Sequence, residues 1–148
     1  MKHTPLFALT LLTAVSLTSC RHHDGQTAAV DALPATAQTF VQTHFSDKQV
    51  AAVRHDRDIL DGDYEVIFTD GASIDFTRSG AWEEVKDRDA DGVPAAIIPQ
   101  PILDHVAANH AGQHVVQISR EATGYDVELS STLELEFDAN GVFLRYDN

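Results

Sequence analysis

The sequence predicts an α+β fold: two tandem helix-plus-four-strand repeats forming an eight-stranded antiparallel sheet with both helices on one face. Three observations carry this. The second half of the chain repeats the first, each half opens with apolar residues at helical spacing, and each then switches to an alternation with a period of two.

The repeat is read residue by residue. Leu33-Pro34 is matched by Ile98-Pro99, and the spacing to Val41, Val50 and Val53 returns at Val106, Val115 and Ile118. DYEVIF, Asp63 to Phe68, is matched by GYDVEL, Gly124 to Leu129; ASIDF, Ala72 to Phe76, by LELEF, Leu133 to Phe137; and Gly80-x-Trp82 by Gly141-x-Phe143. The register changes between the first group and the second, which places an insertion in the first copy around Asp56 to Asp61. The boundaries that follow are a signal segment at 1–19, a tether at 20–32, a first repeat at 33–89, an acidic joint at 90–97 and a second repeat at 98–148.

In chain order, MKHTPLFALTLLTAVSLTSC begins with basic Lys2 and an apolar run from Leu6 to Val15, too short for a spanning helix and placed like an export signal. RHHDGQTAAVDA, Arg21 to Ala32, is polar and small, as a tether is. Its His22-His23 pair has metal-binding chemistry, but two adjacent imidazoles on a flexible segment fall short of a site. Leu33, Ala37, Phe40, Val41, His44 and Phe45 then share one face of a helix. In the second copy Ile98, Ile102, Val106 and His110 do so, and Pro101 predicts that this helix begins a few residues late.

Past each helix the pattern is that of strands with one dry and one wet face. Tyr64, Val66 and Phe68 alternate with Glu65, Ile67 and Thr69; Leu133, Leu135 and Phe137 alternate with Glu134 and Glu136. Turns are expected at Leu60-Asp61-Gly62, Asp70-Gly71, Ser79-Gly80, Gly124 and Asn140-Gly141. Four strands per copy result, and the wet face should carry Glu65, Asp75, Asp126, Glu128, Glu134 and Glu136.

Leu17-Thr18-Ser19-Cys20 resembles the lipobox of bacterial lipoproteins, in which the cysteine is lipidated and becomes the mature N-terminus. Cys20 is the only cysteine, so an internal disulfide is excluded. Acyl chains on Cys20 would hold the protein at a membrane surface. Arg21 is not the aspartate associated with inner-membrane retention, so the expected address is the outer membrane, facing the periplasm or the cell surface.

The LPxxxxxF-type helix, the x-Tyr-x-Val-x-Leu strand, the strand of alternating acid and apolar residues and the terminal Asn-Gly-x-Phe-x-x-Tyr-Asp, run twice behind a lipobox, resemble the PepSY-like, beta-lactamase-inhibitor-like proteins exported by Bacteroidetes-type bacteria. The resemblance covers nearly all of the chain after the tether. It implies a tandem helix-plus-four-strand unit like that of a secreted beta-lactamase inhibitor whose concave sheet grips its enzyme. It implies no reaction; by class-level analogy it implies inhibition or regulation of an extracytoplasmic enzyme such as a protease.

Charge narrows the partners. With 23 acidic against 10 basic residues, binding to nucleic acid or to anionic lipid is disfavoured, and a basic envelope protein is the expected partner of the acidic sheet face. The same charges would also keep an exposed sheet soluble. Catalysis is not expected: there is no nucleophile elbow, phosphate loop or His-Glu-x-x-His run, and the cysteine has its lipid role. His105, His110 and His114 are expected as ordinary histidines, since Gly112 should break the helix between the last two.

DRDADGVP, Asp87 to Pro94, matches the first half of a calcium loop, with Asp87, Asp89, Asp91 and the Val93 carbonyl as candidate metal ligands. Ile98 stands where the closing bidentate glutamate belongs. Calcium is therefore the one cofactor the sequence suggests, at a weak site; otherwise none is expected. The expectation is a non-enzymatic, lipid-anchored envelope protein that binds another protein, with a calcium- or small-ligand-responsive sensor or a structural envelope lipoprotein as alternatives.

Overall fold

Pro34 and Pro99 each stand immediately before a helix, where a proline's fixed φ is preorganised and its missing N–H is harmless. Helices α1 (Ala35–His44) and α2 (Gln100–Asn109) follow them directly. The computed structural model describes residues 30–55 and 63–147. Helix α2 does not begin late: Pro101 lies within its first turn, a position whose N–H has no partner inside the helix in any case. A 3-10 turn at Val30–Ala32 precedes α1, and Val30 packs on the core, so the last residues of the segment expected to be tether belong to the fold.

The described residues also form eight strands: β1 (Val50–His55), β2 (Tyr64–Phe68), β3 (Ser73–Phe76), β4 (Trp82–Lys86), β5 (Val115–Glu121), β6 (Gly124–Leu129), β7 (Glu134–Asp138) and β8 (Phe143–Asp147). They form one antiparallel sheet in sequence order. Each half therefore reads helix, then four strands, and the same two register irregularities recur in each half, in the first and third pairings. Gly124 opens β6 opposite Glu121 instead of making the turn; Ala122 and Thr123 turn the chain.

Strand register explains the core. Val53, Val66, Ile74, Val85, Ile118, Val127 and Leu135 lie side by side across seven strands, all buried. Phe68, Phe76 and Phe137 share their face. Helix α1 covers one end of it: Phe45 stacks on Phe68 at 5.3 Å, and Phe40 meets Phe76 edge-on at 5.6 Å. Helix α2 covers the other, with His105 edge-on to Phe137 at 5.4 Å and stacked on Phe143 at 4.5 Å. Both helices thus lie on one face, and a single apolar cluster runs beneath them. Among the described residues nothing covers the opposite face.

Candidate functional site: an open acidic sheet face and an acidic joint

Because side chains alternate, the residues between the core positions point to the open face. There the register aligns Arg54, Glu65, Asp75, Glu84, Ser119, Asp126, Glu136 and Arg145, one from each strand. A second row beside it contains Lys86, Gln117, Glu128, Glu134 and Asp147. All six acids expected on the wet face lie in these two rows.

The rows are not uniformly neutralised. Arg54 pairs with Glu65 at 3.1 Å, Arg145 with Glu136 at 2.5 Å, and Arg88 grips both oxygens of Glu128 at 2.9 and 2.7 Å. Glu84, which sequence reading missed, accepts hydrogen bonds from Lys86, Gln117 and Ser119. Among the described residues no cation lies within ion-pair distance of Asp75, Asp126 or Glu134.

Asp75 shows the consequence. Partial burial, then the charges of Glu84 and Glu65, push its carboxyl up to about 6, with Lys86 opposing them. Asp126 is raised too, by burial and then by Glu121, Glu136 and Asp147. A hollow of about 630 Å³ opens beside Asp75 and Glu65, and a smaller one is walled by Asp126, Glu128, Glu134, Glu136 and Asp147.

At the joint the acids gather on a lysine. Asp87 and Asp89 are brought together, but around the ammonium of Lys48, which also meets Asp70: the three contacts are 2.6 Å to Asp70, 3.0 Å to Asp87 and 2.7 Å to Asp89. Asp91 is exposed outside this group, and Val93 is buried with its N–H donating to Val115 O at 2.9 Å. Burial lowers the Lys48 pKa, but its bonds to Asp70, Asp89 and Asp87 together outweigh that and raise it.

Gly92 makes the tight approach of this loop feasible. Its φ is +67°, and a Cβ there would lie 2.3 Å from Val115 O. A cavity of about 690 Å³ opens beside the joint, with Lys48, Asp89 and Asp91 on one side and Ile98, Leu103 and Val106 on another. Among the described residues no group of three or more His, Cys, Asp or Glu side chains is arranged for a metal as it stands.

The histidines separate. His105 and His110 lie 5.8 Å apart, centre to centre, at positions matching Phe40 and Phe45, and the buried Nε2 of each has no hydrogen-bond partner. His114 lies away from them, lining the cavity by the joint. Cys20, the signal segment, His22-His23 and the insertion at Asp56 to Asp61 lie outside the described residues. Among the described residues no helix is long and apolar enough to cross a membrane.

The fold of the described residues, two helices on one face of an eight-stranded antiparallel sheet, is shared with known proteins. A family described as "Putative beta-lactamase-inhibitor-like, PepSY-like" matches residues 62–145, and the chain belongs to it. A "putative calcium-regulated periplasmic protein" from Bacteroides thetaiotaomicron is 40% identical with a TM-score of 0.77, over 81% of this chain and 94% of that one. Two structures from Bacteroides vulgatus are similar. A "putative periplasmic protein from DUF2874 family" is 37% identical with a TM-score of 0.76, covering 86% of this chain and 100% of its own. A "putative periplasmic protein of unknown function" is 34% identical with the same TM-score, covering 82% and 97%. No curated protein matches.

Proposed function

We propose that this chain is a non-enzymatic binding module of the bacterial envelope, anchored through lipid on Cys20, that docks a basic protein on its open sheet face and acts on it as an inhibitor or regulator. The observation that carries the reading is the bare face itself. Six of the eight strands place carboxylates in these two rows, and among the described residues no cation lies within ion-pair distance of Asp75, Asp126 or Glu134. Like charges held together raise the free energy of the unbound face, and lysines or arginines of a partner would relieve it. The periplasmic relatives support the envelope address. The outer membrane, facing the periplasm or the cell surface, is the proposed location.

Capture of envelope proteins by the full chain tests this. The reading predicts a basic partner, weakened by salt, that is lost when Glu128, Glu134 and Glu136 are replaced by lysine. Retention of the partner by that variant would remove the acidic face from the account.

The Lys48 cluster and the calcium-regulated relative favour a second reading, in which calcium acts at the joint. The carboxylates of Asp70, Asp87 and Asp89 converge on one point and are hard oxygen donors of the kind Ca²⁺ takes. That point is held by an ammonium, so the residues fit the ion only once Lys48 withdraws. Calorimetry with calcium on the native chain and on Lys48→Gln decides it. Tighter binding by the variant supports the reading, and no heat from either sinks it.

A further inference from the structure

The two edges of the sheet are unlike. Beside β1 lies the 3-10 turn, and β1 carries the exposed Arg54. Among the described residues nothing pairs with the outer edge of β8, and the exposed large hydrophobic residues of the described chain all lie on it or next to it: Val142 and Leu144 at 57% and Tyr146 at 44% exposure. An uncovered edge with apolar side chains is a template for another strand. Its charges are also unfinished. Asp147 lies opposite Glu134, and Glu134 opposite Glu128, so this row meets the edge as successive acids, while Arg145 ends the row beside it.

We propose that β8 is the seam of a two-fold dimer, in which Tyr146 lies opposite Tyr146 of a second copy and Arg145 lies opposite that copy's Asp147. Antiparallel pairing about a two-fold axis perpendicular to the sheet keeps the helices of both copies on one side, and residues directly opposite share a face. With Tyr146 on the axis, the two tyrosines meet on the helix side, where each already packs against its own His110. On the open side, each Asp147 gains an arginine next to the Glu134 that repels it.

Competing registers are less favourable. Placing Arg145 on the axis sets two arginines opposite each other. Head-to-tail addition, with β8 pairing to β1 as β4 pairs to β5, does the same. In the internal junction Glu84 faces Ser119, and the matching residues at the two outer edges are Arg145 and Arg54. Like charges directly opposite disfavour both arrangements. The closed dimer is the arrangement in which the edge charges complement each other, and it leaves no β8 edge for further growth.

Sedimentation velocity on the full chain, dispersed in non-ionic detergent and measured over a concentration series, tests the seam. The native chain should form a reversible dimer. Arg145→Asp and Asp147→Arg should each weaken association by about tenfold, since two pairs turn from attractive to repulsive, and the double reversal should restore it. Asp147→Arg places a cation opposite Glu134, so it should fold at least as well as the native chain, and far-UV circular dichroism checks this. A chain that stays monomeric at every concentration, species that grow beyond two copies, or association indifferent to both single reversals would each overturn the proposal.

Discussion

The Nζ of Lys48 lies 3.0 Å from Asp87 Oδ2, and the Asp87 side chain is almost wholly buried. Lys48 follows helix α1 and Asp87 follows β4, so this contact, with those to Asp70 and Asp89, ties the first half of the fold to the joint. Removing one partner of such a pair leaves a buried charge uncompensated, at a cost of about 3–5 kcal/mol. Lys48→Met should therefore lower the unfolding free energy by about 3 kcal/mol in urea titrations. Replacing Lys48 and Asp87 together by apolar residues should cost much less. Equal losses would mean that the packing of Lys48, and not its charge, matters.

Asp75 should make the open face sensitive to pH. Its folded carboxyl holds a proton up to about 6, whereas an ordinary aspartate loses it near 3.8. The folded state thus binds more protons between those values, and stability contributed at low pH is lost as pH rises through about 6. Asp75→Asn should raise stability by about 1 kcal/mol above neutrality, a value reduced because the side chain is partly solvated, and change little near pH 4. Thermal melts across this range check it, and a variant less stable at every pH would contradict it.

His105 gives the opposite slope. Burial, and then the nearby His110, hold its pKa below the usual 6.5, so the unfolded chain binds protons more readily. Its contribution to stability is present above that value and is lost as pH falls below it. His105→Phe supplies the ring that the first half carries as Phe40. It should flatten the acid side of the stability curve, and an unchanged curve would show that His105 does not titrate on unfolding.

Ile118 is fully buried and lies opposite Val85, where β5 meets β4 and the halves join. Ile118→Val should cost about 1 kcal/mol and Ile118→Ala about 2–5 kcal/mol, with the sheet melting in one step. Two separate transitions in calorimetry would show that the halves fold independently.

Much of this fold is legible because its local signals agree. Proline before each helix, apolar spacing within it and alternation after it give the layers, and the same alternation places six acids on the wet face. Glu84 escapes because the strand is irregular there: Trp82 and Val85 both point inward three residues apart, so a strict period of two fails. Lys48 and Asp70 escape for another reason. Lys48 lies 22 residues from Asp70 and 41 from Asp89 in sequence, and no local pattern marks a lysine that will meet three aspartates across the fold. At the Asp-rich joint the spacing of the acids is visible in the sequence, and the ammonium that sits among them is not. In α2, Pro101 suggests a delayed start, yet a proline in the first turn removes no bond the helix would have made.

The measurement closest to the central claim is the salt dependence and mutational sensitivity of partner capture by the open face. The full chain and a variant carrying Asp75→Lys and Glu134→Lys should be compared as bait in envelope extract of the source bacterium. A basic protein should be held by the native chain, released by moderate salt and absent from the variant, with crosslinks falling on the open side of the sheet. Equal capture by both chains, or crosslinks confined to α1 and α2, would contradict it.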